Sequence, residues 1–186
     1  MIFRLLNKIF FPLIIIFFLF CSAYAADTRS LYWDNIKVDI FVNPDSSVDI
    51  TEVQDYVFTG AWNGGYRDIK IKGFDSLSSV GVAEDHIAYK EGSLDKYHFT
   101  VDKEGGNYRI KWRSRWPTEP EYENTRKLFT IRYRVNGLIS YPDKQQDEIY
   151  WKAIFEEREG VINAATVNLH FPAAVDPDRL RVNLFS

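Results

Sequence analysis

Ile36-Lys37-Val38-Asp39-Ile40-Phe41-Val42, followed by Asn43-Pro44-Asp45-Ser46-Ser47 and then by Val48-Asp49-Ile50-Thr51, is the stretch that decides the fold class. Ile36, Val38, Ile40 and Val42 alternate with Lys37, Asp39 and Phe41. This period of two belongs to a strand with one face on a core and the other largely in water. The five residues after Val42 are turn formers. Apolar spacing resumes over residues 48–58, with Val48, Ile50, Tyr56 and Phe58 on one face, so the pair reads as a β-hairpin. Glu52 and Gln54 interrupt that face, which predicts a bulge or an edge position near the middle of the second strand.

Working outward, Gly60-Ala61-Trp62-Asn63-Gly64-Gly65 reads as a loop, because glycine and asparagine favour backbone conformations closed to most residues. Shorter β-like runs follow at residues 79–82, 86–89 and 97–101, and a longer one at 108–116 ends at Pro117 and Pro120. Phe129, Ile131, Tyr133 and Val135 alternate with Thr130, Arg132 and Arg134, and Asn136-Gly137 then offers the residues a two-residue hairpin turn prefers. Runs at 149–155, 162–171 and 180–185 complete the series, and no long segment carries apolar residues at helical spacing. The expectation is an all-β fold: one antiparallel β-sandwich over residues 26–186, immunoglobulin- or fibronectin-like in general architecture.

The amino terminus has a different character. Arg4 and Lys8 precede a twelve-residue apolar run, 9–20, which meets Cys21, Ser22 and the small-x-small site Ala23-Tyr24-Ala25. A membrane-spanning helix needs about 20 apolar residues, so residues 1–25 read as a signal peptide cleaved before Ala26. The rival reading is an uncleaved anchor. Cys21 is the only cysteine and leaves with the leader, so the mature domain has no disulfide or thiolate chemistry. Without Arg4 and Lys8 there are 21 basic against 26 acidic residues, a formal charge of −5 that argues against nucleic acid as the partner. The last apolar run stops at Phe185-Ser186 with no turn or polar tail, and the expectation is a natural polypeptide that continues.

Three pieces form a pattern: Asp45-Ser46-Ser47-Val48-Asp49-Ile50-Thr51-Glu52, then Gly60-Ala61-Trp62-Asn63-Gly64-Gly65-Tyr66-Arg67-Asp68-Ile69, then Asp147-Glu148-Ile149-Tyr150-Trp151. On these the chain resembles, over residues 31–172, the amino-terminal domain of a family of predicted bacterial membrane proteins, domain-of-unknown-function family 2207. The most specific piece is Tyr66-Arg67-Asp68-Ile69, with Tyr150-Trp151 second. The resemblance implies a signal peptide, an extracytoplasmic β domain, and then transmembrane helices that this chain lacks. Lys152 stands where the family tends to place asparagine after the Tyr-Trp pair. The family has no assigned activity, so the resemblance bears on location and fold.

A search for chemistry turns up little. His86, His98 and His170 have no ligand-type partner two or four residues away, so a metal site would have to be assembled by folding. The acids Asp143, Asp147 and Glu148, and Glu156, Glu157 and Glu159, lack the spacing of a calcium loop. No Gly-x-Ser-x-Gly elbow or phosphate-cradling loop is present, and no cofactor is expected. Arg67 and Asp68, beside the glycine loop, read either as an ion pair locking that loop or as a clamp for an anionic ligand. Tyr150 and Trp151 are expected on opposite faces of a strand. Arg109, Lys111, Arg113 and Arg115 occupy alternate positions of the 108–116 run, with Tyr108, Ile110, Trp112 and Trp116 in core positions. The four cations would share one face, either solvated and guarding against aggregation or forming a landing strip for anionic lipid or envelope polymer. The chain therefore reads as a non-enzymatic interaction or sensing domain, exported to the periplasmic or extracellular face of the cytoplasmic membrane and held there by helices beyond this chain. The alternative is a domain that binds cell-envelope carbohydrate or acts on wall polymers, which as a glycosidase would need paired carboxylates in a cleft.

Overall fold

A computed structural model describes residues 29–143, 146–155 and 158–183. The expected leader with its cleavage site, and the end at Phe185-Ser186, lie outside the described residues.

The predicted hairpin is the longest local element, β1 (Ser30–Val42) against β2 (Val48–Gly60). Its turn is closed by Asn43 N donating to Ser47 O at 2.9 Å, and Asp45 Oδ1 accepts from Ser47 N and Oγ at 3.0 and 2.6 Å. The remaining strands are β3 (Gly64–Lys70), β4 (Ser76–Glu84), β5 (Ile87–Ala88), β6 (Lys90–Glu91), β7 (His98–Glu104), β8 (Asn107–Arg113), β9 (Tyr122–Asn136), β10 (Ile139–Asp143), β11 (Gln146–Ile149), β12 (Val161–Ile162) and β13 (Ala165–His170). A 3-10 turn, Pro177–Arg179, follows. The described residues are all-β, without an α-helix, and none of their helices is long and apolar enough to cross a membrane.

The large sheet runs β12-β1-β2-β9-β4-β5, with β13 also on β1. The small sheet runs β3-β8-β7-β6, and β10 pairs β11 separately. One buried cluster serves both main sheets. Trp112 of β8 lies 5.4 Å, ring to ring, from Phe129 of β9 and 6.5 Å from Tyr56 of β2.

Several expectations need correction. Pairing is mixed rather than antiparallel throughout, since β12 and β13 run parallel to β1, and β6 parallel to β7. Asn136-Gly137 is not a hairpin turn. Strand β9 is already paired on both sides, with β2 and β4, so Gly137, at φ +73°, turns the chain off the sheet while Asn136 O accepts from Asp75 N at 2.8 Å. The glycine loop shrinks to residues 61–63, because Gly64 and Gly65 belong to β3. Of the runs at 149–155 and 180–185, residues 150–155 and 180–183 lie in no strand.

Glu52 and Gln54 cause neither bulge nor edge. Strand β2 is central, and Val48, Ile50, Glu52, Gln54, Tyr56 and Phe58 all face the core and are all buried. The bulge lies in β1, between Trp33 and Asn35, and rephases the strand so that Trp33 and Ile36 both turn inward.

Candidate functional site

Buried polar groups need partners, and those of Glu52 come from three other positions. Arg67 Nε donates to both carboxylate oxygens at 2.9 and 3.0 Å, Gln54 Nε2 donates at 2.7 Å, and Tyr133 donates its hydroxyl. Trp33 Nε1 continues the chain to Gln54 Oε1 at 3.2 Å. Burial works against the Arg67 cation, but the charge of Glu52 more than offsets this and raises its pKa. Burial, then the same carboxylate, pushes the Tyr133 phenol well above its ordinary value. Two members of this network, Arg67 and Trp33, line a cleft of about 710 Å³.

One wall of the cleft is β3, every residue of which lines it, and the other is the segment around Tyr150, Trp151, Lys152 and Phe155. Arg67 joins the walls. Its Nη1 donates to Asp68 O at 2.7 Å, its Nη2 to Lys152 O at 3.3 Å, and its guanidinium lies 5.1 Å from the Phe155 ring centre. Trp33, Tyr56 and Trp62 add aromatic surface, and Trp151 keeps Nε1 buried without a hydrogen-bond partner among the described residues. Gly64 and Gly65 are demanded by packing, since an added Cβ would meet Trp112 O at 2.0 Å in the first case and the Trp112 ring at 2.6 Å in the second.

The sequence-predicted residues are redistributed. Arg67 and Asp68 do not pair with each other through their charges, because neighbours on a strand point to opposite faces. Arg67 is 4% exposed and turned inward, whereas the Asp68 carboxylate faces outward and accepts two bonds from Arg109, at 2.8 and 2.7 Å. The basic row is likewise broken. Arg109, Lys111 and Arg113 alternate on β8, but the strand ends at Arg113. Arg115 is buried and clamps two loops, donating to Trp62 O at 2.8 Å, Asn63 Oδ1 at 2.9 Å and Glu119 O. Trp116 is exposed rather than core, with the Arg113 guanidinium 5.3 Å over its ring. Of the three remaining cations Arg109 sits among acids, bonding Glu104 at 2.9 Å as well as Asp68 and registered with Asp102 on β7, whereas Lys111 lies opposite Tyr66 and Thr100, and Arg113 opposite Gly64 and His98. Tyr150 is 63% exposed and Trp151 packs on the core, although neither is in a strand.

Glu52 and Gln54 are what sequence reasoning missed. The available signal was a polar pair on an otherwise apolar strand face. Of the histidines, His170 stacks on Phe41 at 4.1 Å and lies 3.1 Å from Asp39, and His98 Nδ1 lies 3.0 Å from Lys96 O. No metal-holding cluster occurs among the described residues. Glu52, buried beneath Arg67, and Asp68 are both engaged by arginine, and Glu159 also lines the cleft.

No curated protein matches the chain. A solved structure of a suggested protease from Parabacteroides distasonis shares 6% identity at a TM-score of 0.33, over 57% of this chain and 23% of that one. The chain thus spans less than a quarter of that protein, and the likeness is too slight to carry an argument. The family described as predicted membrane protein (DUF2207) N-terminal domain matches residues 26–184, and the chain belongs to that family.

Proposed function

We propose that this is a non-enzymatic extracytoplasmic interaction or sensing domain of a membrane protein, processed before Ala26, with the cleft over Arg67 as its ligand site and its two main sheets facing as a β-sandwich. The observation that carries the reading is the charge of the cleft rim. Arg109 is spent on Asp68, and Arg67 on Glu52. Lys70 and Lys72 then carry no ion pair among the described residues and place two positive charges at the rim beside aromatic walls, with Lys152, Arg158 and Glu159 also lining the cleft. In a chain whose formal charge is −3, such a concentration selects anionic ligands. A domain held at the cell surface by neighbouring helices would meet acidic envelope polymers and acidic protein segments.

The test is a tryptophan-fluorescence titration with two anionic probes, polygalacturonate and an acidic peptide, on the wild type and on Lys70→Glu/Lys72→Glu. The wild type is expected to bind at least one probe at low salt, and the variant at least tenfold more weakly. Absence of binding to both probes overturns the reading.

A further inference from the structure

A cleft that touches every consecutive residue of a strand touches its edge, because side chains alone would offer only alternate positions. Strand β3 is the outer strand of the small sheet, paired on one side with β8. The phase of that pairing is fixed by the bonds at its two ends: Ile71 N donates to Gly106 O at 3.0 Å, and Ser114 N donates to Asn63 O at 2.8 Å. In an antiparallel ladder the bonded pairs alternate, so Gly65, Arg67 and Ile69 spend their backbone groups on β8. Tyr66, Asp68 and Lys70 therefore turn theirs toward the cleft.

Two carbonyls on that side confirm the phase. Asp68 O accepts from Arg67 Nη1, and Lys70 O accepts from Lys72 N at 2.9 Å. The N–H groups of Tyr66, Asp68 and Lys70, with the carbonyl of Tyr66, carry no hydrogen bond among the described residues. Donors two residues apart repeat at about 6.6 Å, which is the repeat of a partner strand. Exposed edges invite indiscriminate pairing, but this one lies within a cleft that Tyr150, Trp151 and Phe155 also line, which restricts what can reach it.

We infer that the cleft binds an extended acidic peptide segment that adds to the open edge of β3 as a further strand. The inference rests on the cleft being the ligand site, and it names the ligand class. Backbone donors and acceptors at strand spacing match a polypeptide and not a sugar chain, while Lys70 and Lys72 at the rim select acidic side chains. The buried Arg67–Glu52 pair holds the edge rigid beforehand, which lowers the ordering cost of binding.

The probe is an acetylated and amidated alternating Asp-Val octapeptide, titrated into the full chain in detergent micelles, with amide hydrogen exchange as a second readout. Tyr66→Pro removes one outward donor without touching the β8 ladder, since proline is tolerated where the N–H of an edge strand faces away. Tyr66→Ala controls for loss of the ring. The expected result is slowed exchange at Tyr66, Asp68 and Lys70, with Tyr66→Pro binding at least tenfold more weakly than Tyr66→Ala. N-methylation of one alternate set of peptide amides should weaken binding, and methylation of the other set should not. Equal binding by the proline and alanine variants, or slowed exchange elsewhere, overturns strand addition. Binding of polygalacturonate but not of the peptide overturns the ligand class and leaves the cleft as a site, whereas binding of neither removes both.

Discussion

Arg67 reaches across the core to hold Glu52 by two hydrogen bonds of 2.9 and 3.0 Å, from side chains that are 4% and 0% exposed. An ion pair so enclosed is costly to break from one side, because the remaining charge loses its compensation. Arg67→Met should therefore lower stability by about 3–5 kcal/mol in urea denaturation. Glu52→Leu combined with Arg67→Met should recover most of that loss, since no charge is then stranded. A single variant as stable as the wild type would show that the pair is not closed in solution.

Gly65 lies opposite Trp112 in the β3–β8 ladder, with room for hydrogen only. Gly65→Ala should displace the indole from the core and cost about 1–3 kcal/mol. Thermal unfolding followed by near-ultraviolet dichroism reads both effects. An unchanged aromatic signal at unchanged melting temperature would refute the close approach.

Hydrogen bonds from Lys37 at 2.9 Å, Asn168 at 2.9 Å and His170 at 3.1 Å hold the Asp39 carboxyl at about 2, below its ordinary 3.8. A depressed carboxylate stabilises the fold above the unfolded value and loses that contribution as pH falls through the folded one. On the order of 1 kcal/mol should be present above about pH 4 and vanish towards pH 2, once solvent screening is allowed for. Asp39→Asn should accordingly be less stable than the wild type at pH 6, with the gap closing in acid. A gap that widens below pH 4 would contradict this tie between β1 and β13.

The outer face of β8 carries Arg109, Lys111 and Arg113, with Asp68, Asp102 and Glu104 gathered at its Arg109 end. Acids so placed are expected to offset part of the row's pull on anionic lipid. Changing the three cations to serine in a chain of residues 26–186 should leave its cosedimentation with phosphatidylglycerol vesicles within twofold of the wild type. A tenfold loss would restore the landing strip.

Legibility in the sequence followed the range of the interactions. The β1–β2 hairpin was readable because alternation and an Asp-Ser-Ser turn are local. Glu52 was misread because its partners, Arg67 and Tyr133, lie 15 and 81 positions away and on other strands. Asn136-Gly137 has hairpin chemistry, yet pairing depends on which edges remain open, and those of β9 were taken. The motifs around Arg67 and Trp151 both stood out, but that they line one cleft depends on how the chain beyond β11 crosses β3. Spacing along the chain carries no trace of that.

The central claim is that the domain meets its ligand in the cleft over Arg67 and not on the outer face of β8. The most direct measurement is a backbone amide chemical-shift map of the protein with and without the acidic octapeptide. The account predicts shifts concentrated at residues 64–70 and 150–155, with the amides of Lys111 and Thr100 unmoved. Shifts centred on Lys111 and Arg113, or no shifts at millimolar peptide, would contradict it.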